Sequence, residues 1–124
     1  MQREQKGRIH QDEIGSLGGR QYPRVFVSLP IQYYINNHPL RYGHTYNLSP
    51  GGVMLNVPER LKIGEAIKLA IFFAPDAKLE RVRANSQLVW VHETHSNGGY
   101  RSGVKFIDLS ASDKNKLQKF FENL

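Results

Sequence analysis

Residues 24–35 read RVFVSLPIQYYI. Every second side chain from Val25 to Ile35 is large and apolar, and a period of two residues is that of a β-strand with one buried face. The apolar face carries Val25, Val27, Leu29, Ile31, Tyr33 and Ile35. Pro30 has no backbone N–H, so it indicates an edge position or a bulge. The pattern predicts one long strand over the whole stretch.

Five more segments have strand patterns with turn residues between them. They cover residues 40–48, 53–57, 67–73, 82–93 and 100–106. In the segment 82–93, Leu88 and Trp90 are predicted to share one face. Trp90 is interpreted as a core aromatic residue, with stacking on a ligand base as the alternative. Short strands separated by turn signals favour a six-stranded antiparallel β-barrel.

The C-terminal segment has a different period. Ser110-Ala-Ser-Asp113 resembles a capping box in which Asp replaces the usual Glu. Apolar residues then follow at helical spacing at Leu117, Phe120, Phe121 and Leu124. The predicted fold class is therefore all-β with one C-terminal amphipathic helix that packs against the barrel.

The N-terminal segment has few large apolar residues. Residues 1–18 are predicted to form a flexible N-terminal arm, and residues 19–124 the barrel domain with its helix. No apolar run approaches the roughly 20 residues needed to span a bilayer, and residues 1–12 do not resemble a secretory signal. We therefore expect a cytoplasmic protein without membrane insertion.

Composition excludes several functions and favours anionic partners. The chain contains no cysteine, which excludes disulfides, thiol catalysis and Cys-based zinc sites. Lys and Arg number 17 against 11 Asp and Glu, for a net charge of +6. An excess of basic residues favours binding of nucleotides, nucleic acid or an acidic surface. Scattered basic residues are, however, also typical of an ordinary solvated surface.

No catalytic or metal site can be identified. Ser49 lacks the glycine two positions earlier that a nucleophile elbow requires, because Asn47 occupies that position. His92 and His95 are three residues apart and would face opposite sides of a strand, so shared metal ligation is not expected. The sequence therefore predicts a protein that is not an enzyme and has no metal.

Two segments could bind an anion. Arg20 and Arg24 flank Pro23, which disfavours a helix, so both guanidinium groups belong to a loop and can converge on phosphate or on guanine O6 and N7. Asn47-Leu-Ser-Pro-Gly-Gly52 forms a tight turn, in which Gly51 or Gly52 could adopt a positive φ. Taken separately, the two segments are also typical of exposed arginines and an ordinary turn.

Together the two segments resemble the PilZ domain family. The family pattern is Arg-x-x-x-Arg before the first strand and Asp/Asn-x-Ser-x-x-Gly after the second. This sequence matches it at Arg20, Arg24, Asn47, Ser49 and Gly52. Trp90, the stretch Gly103-Val-Lys-Phe106 and the C-terminal helix extend the resemblance over residues 19–124.

The resemblance implies a receptor for the bacterial second messenger cyclic di-GMP. Arg20 and Arg24 would bind phosphates and the Hoogsteen edges of the guanines. Asn47 and Ser49 would bind the N1–N2 edge of a guanine, and Gly51 and Gly52 would let the backbone approach the base.

The resemblance also bears on partners and signalling. By this resemblance the ligand would be cyclic di-GMP, with no further cofactor and no specific nucleic acid. We expect Arg24 to be exposed, so that it serves binding and contributes little to packing. Ordering of the N-terminal arm on binding would relay the signal to a downstream protein partner.

Two other functions fit parts of the sequence. A general nucleic-acid-binding barrel fits the charge and aromatic content, but no exposed aromatic platform for base stacking is evident. A PilZ-fold protein-interaction module without nucleotide binding fits the fold, although Arg20, Arg24 and Ser49 argue against it. Titration with cyclic di-GMP separates these alternatives.

Overall fold

The computed structural model describes residues 24–36, 38–74, 78–94 and 99–123. In this part of the chain there are seven strands and one helix. They are β1 (Val25–Phe26), β2 (Pro30–Tyr34), β3 (Arg41–Ser49), β4 (Gly52–Val57), β5 (Ala66–Phe73), β6 (Glu80–Glu93), β7 (Tyr100–Asp108) and α1 (Ala111–Glu122).

The six longer strands close into a ring. Their order is β3-β2-β5-β6-β7-β4, and β4 pairs again with β3, with every pairing antiparallel. The predicted six-stranded antiparallel barrel with one C-terminal helix is therefore confirmed.

The first predicted strand is interrupted, and Thr45 of β3 bridges the gap. β1 pairs with the end of β3, Val25 opposite Leu48, whereas β2 pairs with its start. Between them, Thr45 Oγ1 accepts a hydrogen bond from Leu29 N at 2.8 Å and donates one to Val27 O. β1 and β2 thus both pair with β3, so the barrel still has six sides.

The predicted apolar face does point into the barrel. Val25, Ile31, Tyr33 and Ile35 are buried, and they belong to an interior that includes residues from every longer strand. Burying one such aliphatic side chain stabilises the fold by roughly 1.5–3 kcal/mol. The buried cluster is Ile31, Tyr33, Ile35, Leu48, Val53, Leu55, Val57, Leu61, Ile67, Leu69, Ile71, Val82, Leu88, Val104 and Leu117.

The prediction that Leu88 and Trp90 share a face is wrong. Leu88 lies opposite Val104, but Trp90 lies opposite Gly103, so β6 contains one extra residue at this point. Such a β-bulge reverses the alternation of side chains beyond it. Leu88 is therefore 1% exposed inside the barrel, while Trp90 is 38% exposed on the outside.

Helix α1 begins at the predicted cap. Ser110 is the N-cap residue, and its Oγ accepts a hydrogen bond from Asp113 N at 3.0 Å. Leu117 is buried, and Phe120 packs edge-on against Phe73 with ring centroids 5.4 Å apart. The apolar face of the helix thus lies against the barrel as predicted. Leu124 lies outside the described residues.

Within the described residues, we find no helix with the length and hydropathy required to cross a membrane.

Candidate functional site

The loop-to-strand junction and the β3–β4 turn meet at one corner of the barrel. Arg24 Nη1 donates a hydrogen bond to Asn47 Oδ1 at 2.9 Å, across 23 positions of sequence. The register of β1 on β3 explains this contact, because Val25 pairs with Leu48 and Phe26 with Asn47. Parts of the two predicted motifs are therefore in direct contact.

Arg24 does not have the exposure expected of it. Its side chain is only 8% exposed, and Asn47 beneath it is fully buried. A surface arginine would contribute little to stability, but a buried one that satisfies a buried amide is part of the packing. Arg24 thus belongs both to the fold and to the candidate site.

The β3–β4 connection is a turn of two residues, Pro50 and Gly51. Ser49 is fully buried, and its Oγ donates to Gly52 O at 3.3 Å. Gly51 is exposed, and its carbonyl accepts a hydrogen bond from Phe106 N at 2.9 Å. The turn is therefore fixed to β7 as well as closed on itself.

Gly52 is required for space. A Cβ atom on Gly52 would lie 2.4 Å from Val104 O, which is closer than real Cβ atoms approach a backbone oxygen. The turn was also predicted to place Gly51 or Gly52 at positive φ, but among the described residues Gly64 is the glycine with that conformation. Gly52 instead lets β4 lie tightly against β7.

An aromatic and basic cluster borders the corner on the outside of the barrel. Tyr46 is the extra residue of a bulge in β3, and its ring contacts Phe26 edge-on at a centroid distance of 5.2 Å. Arg101 Cζ lies 3.7 Å from the centroid of the Tyr46 ring, and Arg101 Nε donates to Asn56 Oδ1 at 3.3 Å. Nothing in the sequence pattern pointed to Arg101, because its partners are distant in the chain.

The predicted site is thus assembled in part. Arg24, Asn47, Ser49, Gly51 and Gly52 share the corner, and we call these five residues the motif corner. Arg20 and the predicted arm of residues 1–18 lie outside the described residues.

A second polar cluster, which the sequence did not reveal, joins β2, β3 and the segment after β4. Tyr33 Oη donates to Glu59 Oε2 at 2.8 Å, and Arg41 forms an ion pair with the same carboxylate. Burial and the bond to Glu59 raise the pKa of Tyr33 above its usual range. Burial alone would raise the pKa of Glu59, but the bonds from Arg41 and Tyr33 outweigh it and lower that pKa. We call these three residues the carboxylate cluster.

Two clefts lie near α1. One, of about 450 Å³, has Lys68, Arg81, Arg83 and Asp108 in its wall. The other, of about 530 Å³, lies between Pro50 and the helix. Neither has Arg24, Asn47 or Ser49 in its wall, but the second adjoins the motif corner at Pro50, one of the two turn residues.

The structure is a closed barrel of six antiparallel strands, and one corner of it carries an arginine and a tight Asn-x-Ser-x-Gly-Gly turn. These features together define a narrow class of small β-domains. The family model described as PilZ domain matches residues 19–123. The chain belongs to the PilZ domain family.

Solved structures share the fold at low sequence identity. The Bacillus subtilis inhibitor of motility MotI/DgrA is 17% identical with a TM-score of 0.72, over 82% of this chain and 48% of that one. The PilZ domain of YcgR from Escherichia coli with c-di-GMP is 18% identical with a TM-score of 0.64, over 86% and 91%. Borreliella burgdorferi PlzA in complex with c-di-GMP is 15% identical with a TM-score of 0.54, over 90% and 54%.

The chain therefore spans about half the length of MotI/DgrA and of PlzA, but most of the YcgR PilZ domain. No curated protein matches the sequence.

Proposed function

We propose that this chain is a receptor for cyclic di-GMP, which it binds at the motif corner together with Arg20. The observation that carries the proposal is the hydrogen bond from Arg24 to Asn47, because it joins the two family motifs at one place on the barrel. Membership of the PilZ family, and the solved relatives that hold c-di-GMP, support the same ligand.

The chemistry of the corner suits a guanine and a phosphate. A guanidinium group offers five donors in a fixed fork, which can bind phosphate oxygens or the O6 and N7 acceptors of guanine. Asn47 Oδ1 has two lone pairs, so once binding exposes this buried amide it can keep the bond from Arg24 and still accept from N1–H or N2–H of guanine. Holding Arg24 in place before binding reduces the entropy that binding would otherwise cost.

The turn would contribute backbone groups. Gly51 is the exposed residue of the pair, so it is where a base could come close to the chain. Gly52 is buried against Val104, and its part is to keep the turn tight. Ser49 closes the turn from within through its bond to Gly52 O. In this proposal Ser49 Oγ, which is buried in the free chain, accepts a hydrogen bond from the base edge once binding exposes it.

The N-terminal arm would relay the binding signal. Since β1 runs antiparallel to β3, the N-terminal end of β1 at Val25 lies near the turn at Pro50 and Gly51. Arg20 bound to the ligand would lay the arm of residues 1–18 across this turn and create a surface for a protein partner.

Hydrogen exchange tests the relay. Amides from residues 18–24 should gain protection when cyclic di-GMP binds, while the first twelve residues exchange fast throughout. Protection of residues 18–24 already in the free protein would mean that the signal does not use the arm.

Isothermal titration tests the proposed function itself. Cyclic di-GMP should bind saturably, and excess GTP or single-stranded DNA should not abolish binding. Arg20→Ala should weaken binding at least tenfold, since charge-assisted bonds contribute roughly 1.5–3 kcal/mol. Arg83→Ala is the matched control, because Arg83 is exposed and lies in the wall of a cleft apart from the motif corner.

The contrary outcomes identify the alternatives. A folded chain that does not bind cyclic di-GMP would be an interaction module with the PilZ fold. Tight binding of single-stranded DNA that weakens steeply with salt would identify a nucleic-acid-binding barrel.

A further inference from the structure

The cleft of about 450 Å³ lies on the outer face of β2, β5 and β6, in the half of the barrel away from the motif corner. The strand order β3-β2-β5-β6-β7-β4 makes β2, β5 and β6 one half of the ring. The strands that surround the motif corner, β3, β4 and β7, make up the other half. A partner seated in this cleft would therefore leave the motif corner open.

Ala70 of β5 provides the space for the cleft. It pairs with Gln32 of β2 on one side and with Arg83 of β6 on the other, and all three residues line the cleft. A methyl group between two long side chains leaves a depression in the outer face of the sheet. Lys68 lies two residues from Ala70 and borders the depression on the same face, because side chains alternate along a strand.

Three basic side chains line this cleft, and we call Lys68, Arg81 and Arg83 the basic cleft. All three residues are exposed. The ion pairs formed among the described residues involve Arg41 and Lys116 instead, and none of these three. Their positive charge is therefore available to an anionic partner.

The neighbours of the three basic groups favour a protein segment over a nucleic acid. Leu40 and Tyr34 line the cleft and are 46% and 38% exposed, so aliphatic side chains of a partner could pack beside the charges. Asp108 lies in the same wall, opposite Asn85, and its carboxylate would repel a continuous row of phosphates. A peptide can place a neutral or basic residue at that point.

We propose that the basic cleft binds an extended acidic segment of a protein partner, with carboxylates at alternate positions. Arg81 and Arg83 are two positions apart on β6, which is about 7 Å along a strand, and alternate side chains of an extended partner have the same spacing. Each guanidinium can bind one carboxylate through two parallel hydrogen bonds. Lys68 Nζ lies 5.8 Å from the centroid of the Tyr34 ring, which favours a position toward β2, where it can bind a further carboxylate.

The inference goes beyond the proposed function and does not depend on cyclic di-GMP. NMR titration of the ¹⁵N-labelled 124-residue chain tests it. The probe is a short synthetic peptide with Glu at alternate positions and Ser or Leu between them. Its binding should shift the amides of residues 68–70 and 81–85 and the Nε–H groups of the two arginines. A peptide with Lys in place of Glu should cause no such shifts.

Variants provide a second test. Lys68→Gln combined with Arg83→Gln should weaken binding of the Glu peptide about fivefold or more, since two ion pairs are lost. The matched control combines Lys62→Gln with Lys119→Gln, which removes the same charge at exposed residues outside the cleft. The control should bind the Glu peptide nearly as the wild type does. Thermal melting verifies that both double variants are folded.

The other outcomes would each overturn the proposal. Equal weakening by the two double variants would mean that net charge alone attracts the peptide. Tighter binding of a charge-matched oligothymidylate at the same residues would identify a nucleic-acid surface instead. Absence of peptide binding by the folded wild type would leave the basic cleft as ordinary solvated surface. None of these results changes the calorimetric titration with cyclic di-GMP, so the receptor function is decided separately.

Discussion

The motif corner and the carboxylate cluster both contain an arginine that donates to a side-chain oxygen on another strand or loop. At the motif corner the acceptor is the amide of Asn47, which is fully buried, with Arg24 only 8% exposed. In the carboxylate cluster the acceptor is Glu59, and the side chains of Arg41 and Glu59 are each 31% exposed. The first has a neutral acceptor that is fully buried, and the second is an ion pair near solvent.

This difference in burial determines what each cluster contributes. A buried acceptor that loses its donor costs about 1–3 kcal/mol, whereas an ion pair near solvent contributes about 1 kcal/mol or less. The residues of the motif corner are therefore expected to stabilise the fold as well as to form the proposed ligand site, while the carboxylate cluster contributes a small, pH-dependent part of stability.

The largest effect is expected at Gly52. Gly52→Ala should lower the free energy of unfolding by about 2 kcal/mol or more, because its Cβ would collide with the backbone oxygen of Val104. Gly103→Ala is the control, since its Cβ would meet Trp90 at an ordinary 3.8 Å. Urea unfolding measures both. Equal stability of the two variants would contradict the account of the tight β4–β7 contact.

A smaller effect is expected at Arg24. Arg24→Ala should lower the free energy of unfolding by about 1–3 kcal/mol in the absence of ligand, because the buried Asn47 Oδ1 loses its hydrogen bond. Arg83→Ala should change it by less than about 0.5 kcal/mol, as is usual for surface substitutions.

Thermal or urea unfolding of these two variants measures the difference in stability. If Arg24→Ala is as stable as Arg83→Ala, the hydrogen bond from Arg24 to Asn47 does not stabilise the fold.

The smallest effect is expected at Glu59, and it depends on pH. The bonds from Arg41 and Tyr33 lower the folded pKa of Glu59, so the folded state favours the carboxylate. Its contribution is present above the unfolded pKa and is lost as the pH falls through the folded pKa. Glu59→Gln should therefore be less stable than the wild type at pH 7, by under about 1 kcal/mol, and the gap should close in acid.

Melting temperatures of both proteins between pH 7 and 3 measure this gap. A gap that stays constant with pH would show that Glu59 stabilises the barrel by packing or hydrogen bonding alone.

The barrel could be predicted from the sequence because the two-residue alternation of a strand depends only on residues near one another in the chain. Val25, Ile31, Tyr33 and Ile35 all point inward as their alternation required, and Ser110 caps the helix as predicted. The break after Phe26 was not predicted, because it depends on Thr45, whose hydroxyl replaces ladder bonds from another strand. Propensity along one strand carries no information about such a partner.

Trp90 and Arg24 show where prediction from a single sequence fails. A bulge adds one residue relative to the neighbouring strand, so the exposure of Trp90 depends on β7 as much as on β6. The burial of Arg24 depends on the β1–β3 pairing, and the carboxylate cluster joins residues 18 and 26 positions apart. The motif residues could be identified from their spacing, but their contacts could not.

The closure of the sheet has a consequence for behaviour in solution. Open sheet edges present rows of unpaired N–H and C=O groups, on which strands of other molecules can assemble into aggregates. In the described part of this chain each of the six longer strands has a neighbour on both sides, and the remaining edge belongs to β1, which is two residues long. An edge of that length offers too few groups to template another strand, so the domain is expected to resist edge-to-edge aggregation even when concentrated.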